Sequence, residues 1–323
     1  MRNNLGDVIP TIRLDEENKV QTAKELRSAC VEVGFFYIEG HGLNPSLLAK
    51  VFTESKSLFD LPLEEKVKLS DKVMSRGYTA MEEETLDPSV QKKGDTKEGF
   101  YIGTEITKGD SRFDPSKLRG PNQWPDRSQL PNFRSTMEDY FEKISSVGFQ
   151  VVRLLALALG LDEDYFDSAF QEPMAALRLL HYAKEESKPE DGIYACGAHS
   201  DYGMITLLLT DQNYGLQVLT KENQWVYVPP KPDALIVNLG DMLERWSNGL
   251  FRSTKHRVLT SGDTERYSIP FFYEPDFDTV VACLDVCCSE ANPPKYPPTT
   301  AGHHLLDKYR QTHADFSPES API

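Results

Sequence analysis

Gly197-Ala198-His199-Ser200-Asp201-Tyr202-Gly203 runs directly into the apolar stretch Met204 to Leu209. An imidazole and a carboxylate stand two positions apart, just ahead of a strand-like run. Side chains alternate faces along an extended backbone, so positions i and i+2 project from the same side. His199 and Asp201 are therefore able to grip one ion together, with a further ligand drawn from elsewhere. The apolar run reads as the strand that holds them in place.

Outward from this stretch, the second half of the chain is rich in strand patterns. They fall at Ala176–Ala183, Met204–Thr210, Leu216–Leu219, Trp225–Val228, Ala234–Leu239, His256–Leu259, Ser268–Tyr273 and Thr279–Cys283. Short strands at regular spacing with Gly, Pro and Asp turns point to a sandwich or barrel. The first half differs. A strand is expected at Val8–Ile12, a helix at Lys19–Val33 closed by Gly34, a strand at Phe35–Ile38 and a helix at Pro45–Phe59 capped by Asn44. Residues 70–131 are irregular and rich in Gly, Pro and charge, as binding loops and lids often are. Asn132–Leu159 carries apolar residues every three or four positions and reads as a long scaffold helix. A last helix is expected at Ala301–Thr312, followed by a loose end. The expected division is an N-terminal α/β region with substrate loops, 1–130, packed on a core comprising the long helix, the strand-rich part and the last helix, 131–323.

A formal net charge of −15 argues against nucleic acid or an anionic membrane surface as partner, since both attract basic faces. The five cysteines fit no zinc or disulfide framework and read as reduced thiols. No apolar run approaches the roughly 18 residues of a membrane span, and no signal core opens the chain. The expectation is a cytoplasmic monomer acting on a small molecule.

The further ligand candidate is His256, at the start of a strand. His41, His303 and His304 read as turn or helix residues instead. Two imidazoles and a carboxylate leave metal positions open for substrate and oxygen. Ten residues on, Arg266 and Ser268 share a strand face and offer a guanidinium fork and a hydroxyl, suited to the carboxylate of a short dicarboxylic acid.

In this order, His199-x-Asp201, His256 and Arg266-x-Ser268 resemble the Fe(II)/2-oxoglutarate-dependent dioxygenases of the isopenicillin N synthase-like type. Gly34-Phe35-Phe36-Tyr37-Ile38, His41-Gly42, Leu216-Gln217-Val218-Leu219, Val237-Asn238-Leu239-Gly240-Asp241 and Ser253-Thr254-Lys255-His256 extend the likeness over nearly the whole chain. The resemblance implies a distorted double-stranded β-helix (jelly-roll) with packed helices. It implies Fe(II) on His199, Asp201 and His256, and 2-oxoglutarate on Arg266, Ser268 and Tyr182, with O2 as the oxidant. Leu180 departs from the pattern, since many plant members carry Asn there.

Alternation along Ala176–Ala183 puts Arg178 on the face of Tyr182, and the resemblance gives a basic residue there a substrate contact. It likewise places Phe272 and Glu274 in the substrate pocket and Phe100 and Ile102 on its opposite wall, with Arg76 and Trp246 as further candidates. Buried together, Arg178 and Glu274 would each need a partner. A carboxylate-bearing, zwitterionic small molecule would supply both, unless the two pair with each other or face solvent. The expected activity is oxidation of an unactivated C–H bond, by hydroxylation, with release of succinate and CO2. Oxidative cyclisation or desaturation of an amino-acid-derived small molecule by the same iron chemistry is the near alternative. A non-catalytic binding module on the same fold is the alternative of another class.

Overall fold

The computed structural model describes residues 9–14 and 17–312. In chain order come β1 (Thr11–Arg13), α1 (Lys19–Glu32), β2 (Phe35–Glu39), α2 (Pro45–Phe59) and α3 (Leu63–Val67). β3 (Ser70–Asp71), β4 (Arg76–Thr79) and β5 (Lys97–Gly103) lead to α4 (Phe133–Leu159). Then follow β6 (Met174–Tyr182), β7 (Cys196–His199), β8 (Ile205–Thr210), β9 (Leu216–Leu219), β10 (Trp225–Tyr227) and β11 (Leu235–Leu239). α5 (Asp241–Trp246), β12 (His256–Val258), β13 (Arg266–Glu274), β14 (Val280–Val281), β15 (Thr299–Thr300) and α6 (Ala301–Thr312) complete the order. Val8 and the expected loose end after Thr312 lie outside the described residues.

Nine strands form the main sheet in the order β1-β2-β11-β8-β13-β6-β5-β4-β3, and β10-β9-β12-β7 form a smaller sheet facing it. This is a distorted jelly-roll with helices on one side. The register of the main sheet separates its two faces. Phe36, Val237, Leu207, Phe271, Leu177 and Ile102 are successive cross-strand partners, one apolar row over six strands. This row belongs to the core shared with α4, whose Phe133, Met137, Tyr140, Ile144, Val147 and Val151 are buried at three- and four-residue spacing. Each such side chain removed from water contributes about 1.5–3 kcal/mol. The next row, Phe35, Asn238, Thr206, Phe272, Ala176 and Gly103, faces the smaller sheet. A second core fills that space, with Phe35, Tyr37, Leu180 and Ile236 meeting Val218, Val226 and Val258.

Residues 70–131 differ from the expectation. They line the main cavity, but they also hold β3, β4 and β5, which extend the main sheet beyond β6. Lys97 and Glu98 interrupt any apolar alternation in β5, yet both are buried.

Gly34 ends α1 at φ +73, and a Cβ there would overlap the carbonyl oxygen of Arg252. Gly34→Ala should cost at least about 1 kcal/mol in chemical denaturation, because an L side chain is strained at positive φ even before the clash.

Candidate active site

β7 and β12 are antiparallel neighbours, and His199 and His256 are direct partners across them. Their ring centroids are 4.3 Å apart. Each ring is oriented through Nδ1, which donates to Gly197 O at 2.8 Å in His199 and to Thr254 O at 3.1 Å in His256. A carbonyl can only accept, so the proton sits on Nδ1 and the Nε2 lone pair is free. Both Nε2 atoms lie 3.7 Å from Asp201 Oδ1. The three ligand atoms fall within 4.8 Å of one another. Asp201 follows β7 on the crossover to β8 instead of sharing the strand with His199.

The other carboxylate oxygen, Oδ2, accepts from Asn238 Nδ2 at 2.6 Å and from the Thr206 hydroxyl. Oδ1 is thereby turned toward the imidazoles. The backbone of this crossover is pinned as well, because Asp241 N donates to Asp201 O at 2.8 Å and Met242 N to Gly203 O at 3.0 Å. Burial and the adjacent His199 hold the His256 imidazole down at about 4. Burial would raise Asp201, but His256, His199 and the two donors hold its carboxyl below the usual range. The donor set is therefore two imidazoles with Nε2 turned inward and a carboxylate, a fit for a dication such as Fe(II).

Arg266 and Tyr182 are direct partners on β13 and β6, with the guanidinium carbon 4.9 Å from the phenol ring centroid. Ser268 Oγ is 3.5 Å from Tyr182 Oη. Arg266 is only 2% exposed, and its Nε and Nη1 have no hydrogen-bond partner. Gly215 leaves it room, since a Cβ there would lie 3.0 Å from Arg266 Nε. A buried guanidinium with idle donors beside two hydroxyls fits the distal carboxylate of 2-oxoglutarate.

A cavity of about 580 Å³ opens beside His199 and Asp201. Arg178, Phe272, Glu274 and Arg76 line it. Phe100, Ile102 and Trp246 do not. Tyr101 pairs with Arg178, Gly99 with Leu180 and Gly103 with Ala176, so these three share the cavity face of β5, and Tyr101 lines the cavity. Phe100 and Ile102 point into the helix-packed core, where Phe100 meets the Phe133 ring at 5.7 Å. Trp246 ends α5 and packs on Phe166 at 4.9 Å. Arg178 and Glu274 neither pair with each other nor face solvent. Arg178 Nη2 bonds Glu84 Oε1 at 2.6 Å, and its guanidinium stacks 4.4 Å from the Tyr101 centroid. Glu274 accepts from Met204 N. Among the residues missed in the sequence, Asn238 had a signal, as the one polar residue in β11; Thr206 shares β8 with Thr210 and stood out less.

Residues 174–275 match the model of the 2OG-Fe(II) oxygenase superfamily. Residues 9–127 match that of the non-haem dioxygenase in morphine synthesis N-terminal region. Kihadalactone A synthase LFS of Citrus sinensis is 39% identical over 302 residues, 91% of this chain and 89% of its own length. The 2-oxoglutarate-Fe(II) type oxidoreductase hxnY of Emericella nidulans is 37% identical over 318 residues, 95% of this chain and 89% of its own. The crystal structure of a full-length Neurospora crassa protein in complex with alpha-KG superposes with a TM-score of 0.83 at 32% identity, covering 94% of this chain and 96% of that one.

Burial pushes the Glu274 carboxyl up to about 8, against the donation from Met204 N. Its folded value exceeds its unfolded one, so its contribution is most favourable below about pH 4.5 and is lost as pH rises toward 8. Glu274→Gln keeps an acceptor for Met204 and cannot ionise. In metal-free protein, the variant should gain stability relative to the native chain between pH 5 and pH 8, by on the order of 1 kcal/mol per pH unit at most. Denaturation curves at the two pH values check this, and a constant difference would refute it.

Proposed function

The chain belongs to the 2OG-Fe(II) oxygenase superfamily, and on that footing we propose that it hydroxylates an unactivated C–H bond of a small, carboxylate-bearing molecule. In this reading His199, Asp201 and His256 hold Fe(II). Arg266 and Ser268 take the distal carboxylate of 2-oxoglutarate, with Tyr182 beside them. Bound there, the iron supplies the oxygen chemistry that couples decarboxylation of 2-oxoglutarate to succinate with C–H oxidation.

The observation that carries the 2-oxoglutarate assignment is Arg266. A cation removed from water without a carboxylate partner is costly, and its idle donors, beside the Tyr182 and Ser268 hydroxyls, would be answered by the far carboxylate of a dicarboxylic acid. The protein's remaining work is placement. Asn238 and Thr206 keep Asp201 aimed at the metal position. Phe272 and Tyr101 give the cavity apolar walls that exclude water from the reacting carbon. The cavity volume suits a metabolite-sized ligand.

Arg266→Leu should raise the KM for 2-oxoglutarate by roughly a hundredfold, the cost of deleting one partner of a buried charge pair. Succinate release from Fe(II)-loaded protein measures it, and an unchanged KM would sink the assignment. His256→Ala should lose bound metal in equilibrium dialysis. With a turned-over substrate, a product heavier by one oxygen supports hydroxylation, whereas loss of two hydrogens would overturn it.

A further inference from the structure

β7 is the last strand of the smaller sheet, with β12 as its strand neighbour there. The ladder between the two is broken. The chain takes three steps from Cys196 to His199 where β12 takes two from Val258 to His256, so β7 carries a bulge at Gly197 and Ala198. A bulge re-aims the side chain beside it and takes backbone groups out of the ladder. His199 follows this bulge immediately. Its aim therefore rests on more than strand pairing.

The support comes from the segment that precedes β5, which runs along the approach to β7 and its open edge. Lys92 N donates to Gly192 O at 3.1 Å, and Thr96 N donates to Tyr194 O at 3.0 Å. At the bulge a side chain takes over: Asp95 Oδ1 accepts from Gly197 N at 2.8 Å. Gln91 Nε2 donates to the same oxygen at 2.8 Å, and a Cβ on Gly197 would overlap Gln91. The other oxygen of Asp95 pairs with Lys97 Nζ. Lys97 Nζ also reaches Glu84 at 3.1 Å, and Glu84 holds Arg178 in the cavity wall at 2.6 Å. Asp95 is fully buried, and Lys97 nearly so.

Gly197 is thus gripped through both backbone groups. Its N–H is fixed by Asp95, and its carbonyl accepts from His199 Nδ1 at 2.8 Å. The two groups belong to different peptide units, so the link is mechanical. The carboxylate sets where Gly197 sits, and the Gly197 carbonyl sets how the imidazole turns. A buried carboxylate is a costly way to hold one N–H. It suits this place because a carboxylate accepts from three donors at once and offers none. Lys97 supplies the opposite charge that its burial requires.

We propose that Asp95, backed by Lys97, is a positioning residue for the metal ligand His199 and acts through the Gly197 bulge. This rests on the oxygenase reading, in which His199 binds Fe(II). It gives a segment about a hundred residues before His199 in the chain a part in holding the metal. Through Lys97 and Glu84, the same ion-pair chain that holds Arg178 in the cavity wall ends at the strand that carries a metal ligand.

The test is anaerobic titration of the metal-free chain with Co(II), read through its ligand-field absorption bands. Asp95→Ala should weaken Co(II) binding at least about tenfold and shift the bands. Asp95→Asn, which keeps an acceptor for Gly197 N and loses the charge, should recover part of the affinity. Lys66→Met is the control for a purely structural effect. It breaks the buried Lys66–Glu98 pair on the opposite face of β5. It should lower the thermal midpoint and leave Co(II) affinity and bands unchanged. The proposal is overturned if Asp95→Ala keeps the native affinity and spectrum, or if Lys66→Met loosens Co(II) as much as Asp95→Ala does. Should Asp95→Ala not fold, Asp95→Asn decides: weakened binding with shifted bands supports the proposal, and native binding overturns it. Failure of the native chain to bind Co(II) would overturn the oxygenase reading itself, which separates the two.

Discussion

Everything at the active site depends on how one buried carboxylate is held. Asp201 sits on the crossover between two sheets, where no strand ladder fixes it. Its negative charge is out of water, and such a group stays ionised only when charge and hydrogen bonds answer it. Asn238 and Thr206 do this from adjacent strands of the main sheet, and they are direct cross-strand partners. The register of β11 on β8 therefore sets the direction in which Asp201 points. A slip of one residue in either strand would turn that strand's donor into the helix-packed core and put Val237 or Leu207 beneath the carboxylate.

The same parity rule organises the buried charges. Lys97 and Glu98 are neighbours in sequence and lie on opposite faces of β5. Lys97 joins Asp95, Glu84 and Arg178 on the cavity side. Glu98 meets Lys66 at 2.7 Å, the Tyr78 hydroxyl at 2.6 Å and His181 at 2.8 Å on the other. Each network satisfies its own charges locally. Asp95 further accepts from Gly197 N at 2.8 Å, which ties the cavity-side network to the strand that carries His199.

The candidate metal and cosubstrate residues were legible because residue type and a two-residue period sufficed to find them. His199-x-Asp201 and Arg266-x-Ser268 each declare a face, and the resemblance supplied their partners. The cavity wall was less legible. In Gly99-Phe100-Tyr101-Ile102-Gly103 both alternating sets are compatible with a wall, and the larger apolar pair, Phe100 and Ile102, reads as the lining. The structure gives that pair to α4 instead, since a helix-packed face rewards apolar volume more than a wet cavity does. Trp246 belongs to a short helix that no periodicity announces. Glu84, which neutralises Arg178, comes from a segment with no pattern at all, so the pairing could be known only from the fold.

Glycine placement then explains how so much charge fits against one sheet. Gly99 and Gly103 flank Tyr101 on the cavity face of β5. A Cβ at Gly99 would lie 3.0 Å from Arg178 Nε, and one at Gly103 would overlap the Arg76 guanidinium. The two guanidinium groups thus fold over β5 on either side of one aromatic ring, which a side chain at either position would prevent. Gly203 performs the same service for Glu274. The apparent weakness of β5 as a strand is the condition for its role: it gives up side-chain packing on the cavity face so that cations from β4 and β6 can lie flat against it. One of those cations, Arg178, bonds the Glu84 carboxylate at 2.6 Å, whereas the other, Arg76, is oriented by the carbonyls of Met74, Ser75 and Leu118 with Asp71 across the strand pair.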